Sequence, residues 1–154
     1  MSLKPVQFLA VTLTALALVP AGAHLFELPN KIGLAQEQYF IVQNIYRGWA
    51  LFGFVLLPAI AVVLALTVML RRHAVAFRYA GLALVCMLAT LAIFFAWTYP
   101  ANLATSNWTV VPENWVSLRR QWEYAHATNA VLTFVALCAL TLSLLNSSPS
   151  RERD

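Results

Sequence analysis

Four stretches of the chain contain no Asp, Glu, Lys or Arg: residues 5–23, 48–70, 79–97 and 127–145. Each approaches the roughly 20 residues that a helix rising about 1.5 Å per residue needs to cross a hydrocarbon core. Within lipid a backbone amide finds no water, so a spanning segment must satisfy its own N–H and C=O groups, and Leu- and Ala-rich runs do so as helices. The chain is therefore expected to be all-α: a polytopic membrane four-helix bundle forming one transmembrane domain. Its spans should cover about residues 5–27, 46–70, 78–98 and 122–145, with a polar, frayed tail at 146–154. The 61% hydrophobic content leaves no soluble alternative, since a soluble globular chain carries about 45–50%.

The first run also imitates a cleavable signal peptide, with Lys4 ahead of it and the small residues Ala21-Gly22-Ala23 at its end. Retention as a span is the expectation. Four crossings put Lys4, the short turn with Arg71, Arg72 and Arg78, and the tail with Arg151 and Arg153 on one side. Lys31, Arg47, Arg119 and Arg120 fall on the other, and the positive-inside rule makes the richer side cytoplasmic. Both termini are then cytoplasmic, and the loop-rich end faces the exterior, the periplasm if the membrane is a bacterial inner one. The net charge of +4 is used up by topology and implies no nucleic-acid partner. Cys86 and Cys138 lie mid-span and form no expected disulfide, while His73 in the basic turn is expected to be solvated.

All five tryptophans, Trp49, Trp97, Trp108, Trp115 and Trp122, belong to the outer end. The two outer connections, about residues 28–47 and 98–122, are also the long ones. Pro112 suits a first helical turn, and from Trp115 onward Arg119, Trp122, His126, Asn129 and Thr133 recur at steps of four and three. Such a stripe lies on one helix face. A polar stripe on a membrane helix faces protein or a water-filled cavity, because a charge facing lipid costs about 2.5–3.5 kcal/mol on insertion scales.

The first span offers a partner at matching depth. His24 and Glu27 are three residues apart, as are Glu123 and His126, so each pair shares one side of its helix. Two imidazoles and two carboxylates could converge on a metal held by His24, Glu27, Glu123 and His126. They could instead line a pocket for a small lipophilic ligand or for proton transfer, or the carboxylates could pair with Arg47, Arg119 or Arg120. Tyr39, Gln43, Tyr46 and Arg47 ahead of the second span, with Trp49, form a further expected wall; Trp97, Trp115, Trp122 and Asn129 are the remaining expected substrate contacts. In a proton-transfer reading His126 is the base, Glu123 or Glu27 orients an imidazole, and Arg47 or Arg119 stabilises an oxyanion.

The segments Ala23-His24-Leu25-Phe26-Glu27-Leu28-Pro29-Asn30-Lys31, Gln43-Asn44-Ile45-Tyr46-Arg47-Gly48-Trp49 and Trp122-Glu123-Tyr124-Ala125-His126 resemble the anthrone-oxygenase-like family of small four-helix membrane proteins. The resemblance implies oxygenation of an electron-rich aromatic substrate without a cofactor. It carries over Arg119 or Arg120, Trp122 and His126 as site residues. Asn129 departs from the family pattern, which has a basic residue after the histidine. A different class is a non-catalytic membrane subunit, or a binder of a metal, haem or quinone, using the same His/Glu residues. Beyond the lipid bilayer, the partners expected are a small lipophilic ligand and either further copies of the chain or another membrane protein.

Overall fold

The computed structural model describes residues 2–147, and residues 148–154, which include Arg151, Arg153 and most of the expected tail, lie outside it. Helix α1 spans Leu3–Lys31 and is followed by the short surface helix α2, Gln36–Gln43. Two 3-10 turns, Asn44–Tyr46 and Trp49–Phe52, lead into α3, Gly53–Met69. Helix α4, Ala74–Ile93, continues through a π-helical turn at Phe94–Thr98 into α5, Tyr99–Ala104. The last helix, α6, covers Trp115–Leu145. There is no strand among the described residues.

The four apolar crossings are thus Leu3–Lys31, Trp49–Met69, Ala74–Ala104 and Trp115–Leu145. Only 33%, 22%, 28% and 33% of their apolar windows are buried within the protein, so most of each window must find its apolar environment outside. Phe8, Val19, Phe54, Val85 and Phe134 are among the large side chains left on that outer surface. This is an integral membrane protein: in water such a surface would far exceed the few hundred Å² of contiguous apolar patch that soluble monomers expose.

The helices form a closed ring in which α6 packs on α1 and α4, and α3 packs on the same two. First and last helices are therefore neighbours. At the short-turn end Gln7 donates to Ser147 Oγ at 2.6 Å, joining the start of α1 to the turn that follows α6. Contact surfaces between helices are built from small residues, with Ala10, Ala59, Ala76, Ala80, Ala83 and Ala136 all fully buried. Without a hydrophobic drive inside lipid, close backbone approach is what holds such helices together. Ser143 Oγ shows how close α6 comes to α4, donating to the Ala76 carbonyl at 2.8 Å.

Helices α1 and α6, of 29 and 31 residues, extend about 43 and 46 Å. The hydrocarbon layer is only about 30 Å thick. The surplus projects at the loop-rich end, where the two helices stand as a pair of posts for the outer loops. Pro20 and Pro29 are both inside α1. The chain does not stop at Pro29: Ile32 still donates to the Leu28 carbonyl at 3.0 Å, and the helix gains one turn over the expected end at residue 27. Helix α6 likewise begins at Trp115 instead of at Pro112, whose carbonyl accepts from Trp115 N in the preceding turn.

Two backbone devices shape the outer connections. Gly48, at φ +88°, is in left-handed conformation immediately before the second span. A Cβ added there would meet nothing within 4 Å, so Gly48→Ala tests conformation alone. It should cost about 1–2 kcal/mol, measured by unfolding in mixed detergent micelles. After α5 three consecutive non-glycine residues, Ser106, Asn107 and Trp108, are left-handed. Thr105 Oγ1 accepts from Trp108 N at 3.0 Å, and the Asn102 carbonyl accepts from Asn107 N at 2.7 Å. These bonds offset a conformation that L-residues avoid, and they turn the Trp108 ring back onto the bundle.

Candidate functional site

His24, Glu27 and Lys31 follow one another at steps of three and four, so the extra turn of α1 adds an ammonium to the face that carries the imidazole and the carboxylate. Helix α6 answers with Arg119, Trp122, Glu123 and His126. The His24 and His126 rings lie 4.1 Å apart between centroids, tilted by 30°. Around His24 stand Tyr46 at 4.5 Å, Trp122 at 5.0 Å and Trp49 at 5.3 Å, while Trp122 is 4.2 Å from His126. The paired imidazoles thus sit in an aromatic cage supplied by α1, α6 and the 3-10 entry to the second span.

Beside the cage runs a continuous polar network. Lys31 Nζ donates to Tyr46 Oη at 2.6 Å and pairs with Glu123 Oε1 at 3.0 Å. Tyr46 Oη donates to Glu27, which lies 4.0 Å from Lys31 Nζ. Tyr39 Oη donates to Glu123 Oε1 at 2.9 Å and accepts from Gln43 Nε2. Glu123 is fully buried and Lys31 is 4% exposed, whereas the Glu27 side chain is 36% exposed. The network therefore reaches from a wet carboxylate at the surface to a dry one inside. A single buried carboxylate or ammonium would be intolerable in this setting; together, with phenols donating to both carboxylates, they compensate each other.

Both phenols are held in their protonated, donating form. Burial raises the Tyr39 hydroxyl above its ordinary range, and the Glu123 charge raises it further. For Tyr46 burial again comes first, followed by its hydrogen bond to Glu27. Four buried polar atoms of this region have no partner: His24 Nδ1, Glu123 Oε2, Gln43 Oε1 and Arg119 Nε. Such atoms are uncommon in folded proteins and mark where a ligand or water would be stabilised.

Arg119 reaches across the outer end, donating to the Leu34 carbonyl at 2.7 Å and stacking 4.7 Å from the Trp115 ring. Asn102 Oδ1 accepts two indole N–H groups, Trp122 at 2.8 Å and Trp108 at 3.2 Å. Trp108 closes the assembly over Tyr39, with ring centroids 5.2 Å apart.

The structure brings together His24, Glu27, Tyr39, Gln43, Tyr46, Trp49, Trp115, Arg119, Trp122, Glu123 and His126. Asn129 follows one turn below His126, with its Oδ1 buried and unpartnered. Two expected members are elsewhere. Arg47 is exposed, and its side chain bonds among the described residues only to Asn44 Oδ1, at 3.3 Å; the 3-10 turn at Asn44–Tyr46 breaks the α2 register ahead of it. Trp97, in the π-helical turn after α4, is 51% exposed and lies against the side of α6 that carries Gln121. Lys31, Asn102 and Trp108 were not expected in the site. Lys31 takes the role foreseen for an arginine, as counter-ion of both carboxylates. Arg47→Gln should accordingly change stability by less than about 0.5 kcal/mol, checked by the same micellar unfolding.

The carboxylates make no hydrogen bond to the imidazoles: Glu123 and Glu27 are engaged by Lys31, Tyr39 and Tyr46. Among the described residues no three His, Cys, Asp or Glu side chains gather as a metal would require. The four residues as arranged do not fit a metal, since the Lys31 ammonium already serves as the cation for both carboxylates. Nor do they fit a bis-imidazole haem, which needs iron and macrocycle between rings that are here in contact. Two open concavities of about 640 and 650 Å³ are formed, one against Trp97 and Tyr124, one against Phe40 and Trp108. Neither is lined by the paired histidines or the Lys31 network.

Compared with family models, with curated proteins and with solved structures, the chain matches none.

Proposed function

We propose that this membrane protein is an oxygenase-like enzyme that acts, without a metal or organic cofactor, on a lipophilic aromatic substrate carrying an acidic C–H bond. The observation that carries the reading is the pair of imidazoles in an aromatic cage beside a buried ammonium. A planar aromatic can stack on the partly exposed edges of His126, Trp49 and Tyr46. His126 takes the proton, and the Lys31 ammonium stabilises the negative charge on the adjoining oxygen of the substrate. The carbanion gives one electron to dioxygen, and the resulting radical and superoxide combine. Return of the proton yields a hydroperoxide, and loss of water from it turns the methylene into a carbonyl. The sum is one CH2 and one O2 giving one C=O and one H2O. The resemblance of the His24, Tyr46 and His126 segments to anthrone oxygenases supports this class of substrate, and the excess of arginine and lysine at the other end supports an outward-facing site in a plasma membrane such as the bacterial inner one.

The test is oxygen uptake by the protein purified in mild detergent, with anthrone as probe. Uptake matched by quinone absorbance is expected; no uptake above the uncatalysed rate contradicts the reading. The close packing of the cluster favours a second one, in which the chain is a non-catalytic subunit or holds a quinone. Mass spectrometry of small molecules extracted from the purified protein, and of co-purifying polypeptides, separates the two.

A further inference from the structure

Helix α6 has a second polar face. Ser117, Arg120, Gln121, Tyr124 and Thr128 recur at steps of three and four, and at 100° per residue they point to the side opposite Trp122 and His126. They form one wall of the concavity of about 640 Å³ whose other wall is Ile93 and Trp97, at the π-helical turn that ends the third span's apolar core. That volume is within the roughly 300–1,000 Å³ of small-molecule sites. Gln121 Nε2 donates to the Trp97 carbonyl at 2.8 Å and so ties the two walls together.

Its chemistry is amphipathic. Tyr124 and Trp97 expose 56% and 51% of their surfaces, and Ile93 continues the apolar side toward the bilayer core. Arg120 is the one cation on this wall. No carboxylate pairs with it among the described residues, in contrast to Lys31 on the opposite side. Trp and Tyr rings with a neighbouring guanidinium are the groups that settle at the level of lipid headgroups. Here they are gathered in a groove and not spread around the bundle.

We propose that this groove holds an anionic phospholipid, with the phosphate on Arg120 and the Ser117 hydroxyl, and the acyl chain running past Trp97 and Tyr124 along the third span. A guanidinium recognises a phosphate through paired donors, and its lack of a protein counter-ion leaves one negative charge to be supplied from outside. The site is separate from the imidazole cluster and does not depend on its activity.

Native mass spectrometry of the protein released from micelles containing equal phosphatidylglycerol and phosphatidylcholine provides the test. One tightly retained phosphatidylglycerol per chain is expected, with its retention falling about fivefold in Arg120→Gln, the scale of one basic residue near a lipid surface. Arg120→Lys should keep most of it, and Arg72→Gln, at the other end of the bundle, all of it. Equal retention of both lipids by the unaltered protein, an undiminished complement in Arg120→Gln, or a lipid-free dimer occupying the groove would each overturn the proposal. Circular dichroism of the exposed Arg120 variant guards against a loss caused by misfolding.

Discussion

Replacement of Lys31 by methionine is expected to destabilise the protein by about 3–5 kcal/mol, because Glu123 would remain fully buried with its charge uncompensated. The loss should register as an earlier transition when the protein is unfolded by titrating a denaturing detergent into mild micelles. The accompanying change Glu123→Gln should restore much of it, since the amide can still accept from Tyr39 and carries no charge to be neutralised. Membrane-inserted lysines normally keep their heads in water by snorkelling, and their replacement costs little. A loss below about 1 kcal/mol would mean that Lys31 does the same and that the Glu123 pairing is not a feature of the folded state.

The second large effect concerns turnover. If His126 is the base, His126→Gln should lower oxygen uptake with anthrone by about 10²–10⁴-fold, the usual contribution of a positioned general base. Unfolding of this variant should be close to that of the unaltered protein, as glutamine fills a similar volume and His126 makes no hydrogen bond or ion pair in the network around Lys31. Full activity would remove His126 as the base. His24→Gln would then be the informative variant, since the His24 Nδ1 atom is buried and free of any partner.

How far the sequence discloses this arrangement depends on the range of the interaction. The spans are legible because charge-free length is a local property: the runs at 48–70 and 127–145 reappear with little change as Trp49–Met69 and the inner part of α6. The stripe Trp115, Arg119, Trp122, His126 is equally local, being the periodicity of one helix. Lys31 is not legible as a site residue because the first span is expected to end at about residue 27, and a lysine four residues on counts only as a surface charge. In the structure Pro29 costs one backbone bond and the turn continues, bringing Lys31 under the Trp122 ring, 5.0 Å from its centroid. Asn102 could not be recognised at all. Its importance lies in two indole donors that are six and twenty residues away, and no spacing rule reaches across the left-handed turn that brings Trp108 home. Arg47 illustrates the converse. Its step of four from Gln43 assumes one helix, yet α2 gives way to a 3-10 turn at Asn44–Tyr46, so the register is lost before the arginine.

The spatial claim on which the site rests is that α1 and α6 bring two imidazoles into contact at the loop-rich end of the bundle. The chain has three histidines, His24, His73 and His126, so uniform labelling of histidine alone with carbon-13 and nitrogen-15 gives a spectrum of three ring systems. Solid-state magnetic resonance in lipid bilayers should show one pair joined by ring-to-ring carbon cross-peaks, lost in His126→Gln, with His73 isolated in the short turn at the opposite end. Three mutually isolated rings would contradict the arrangement.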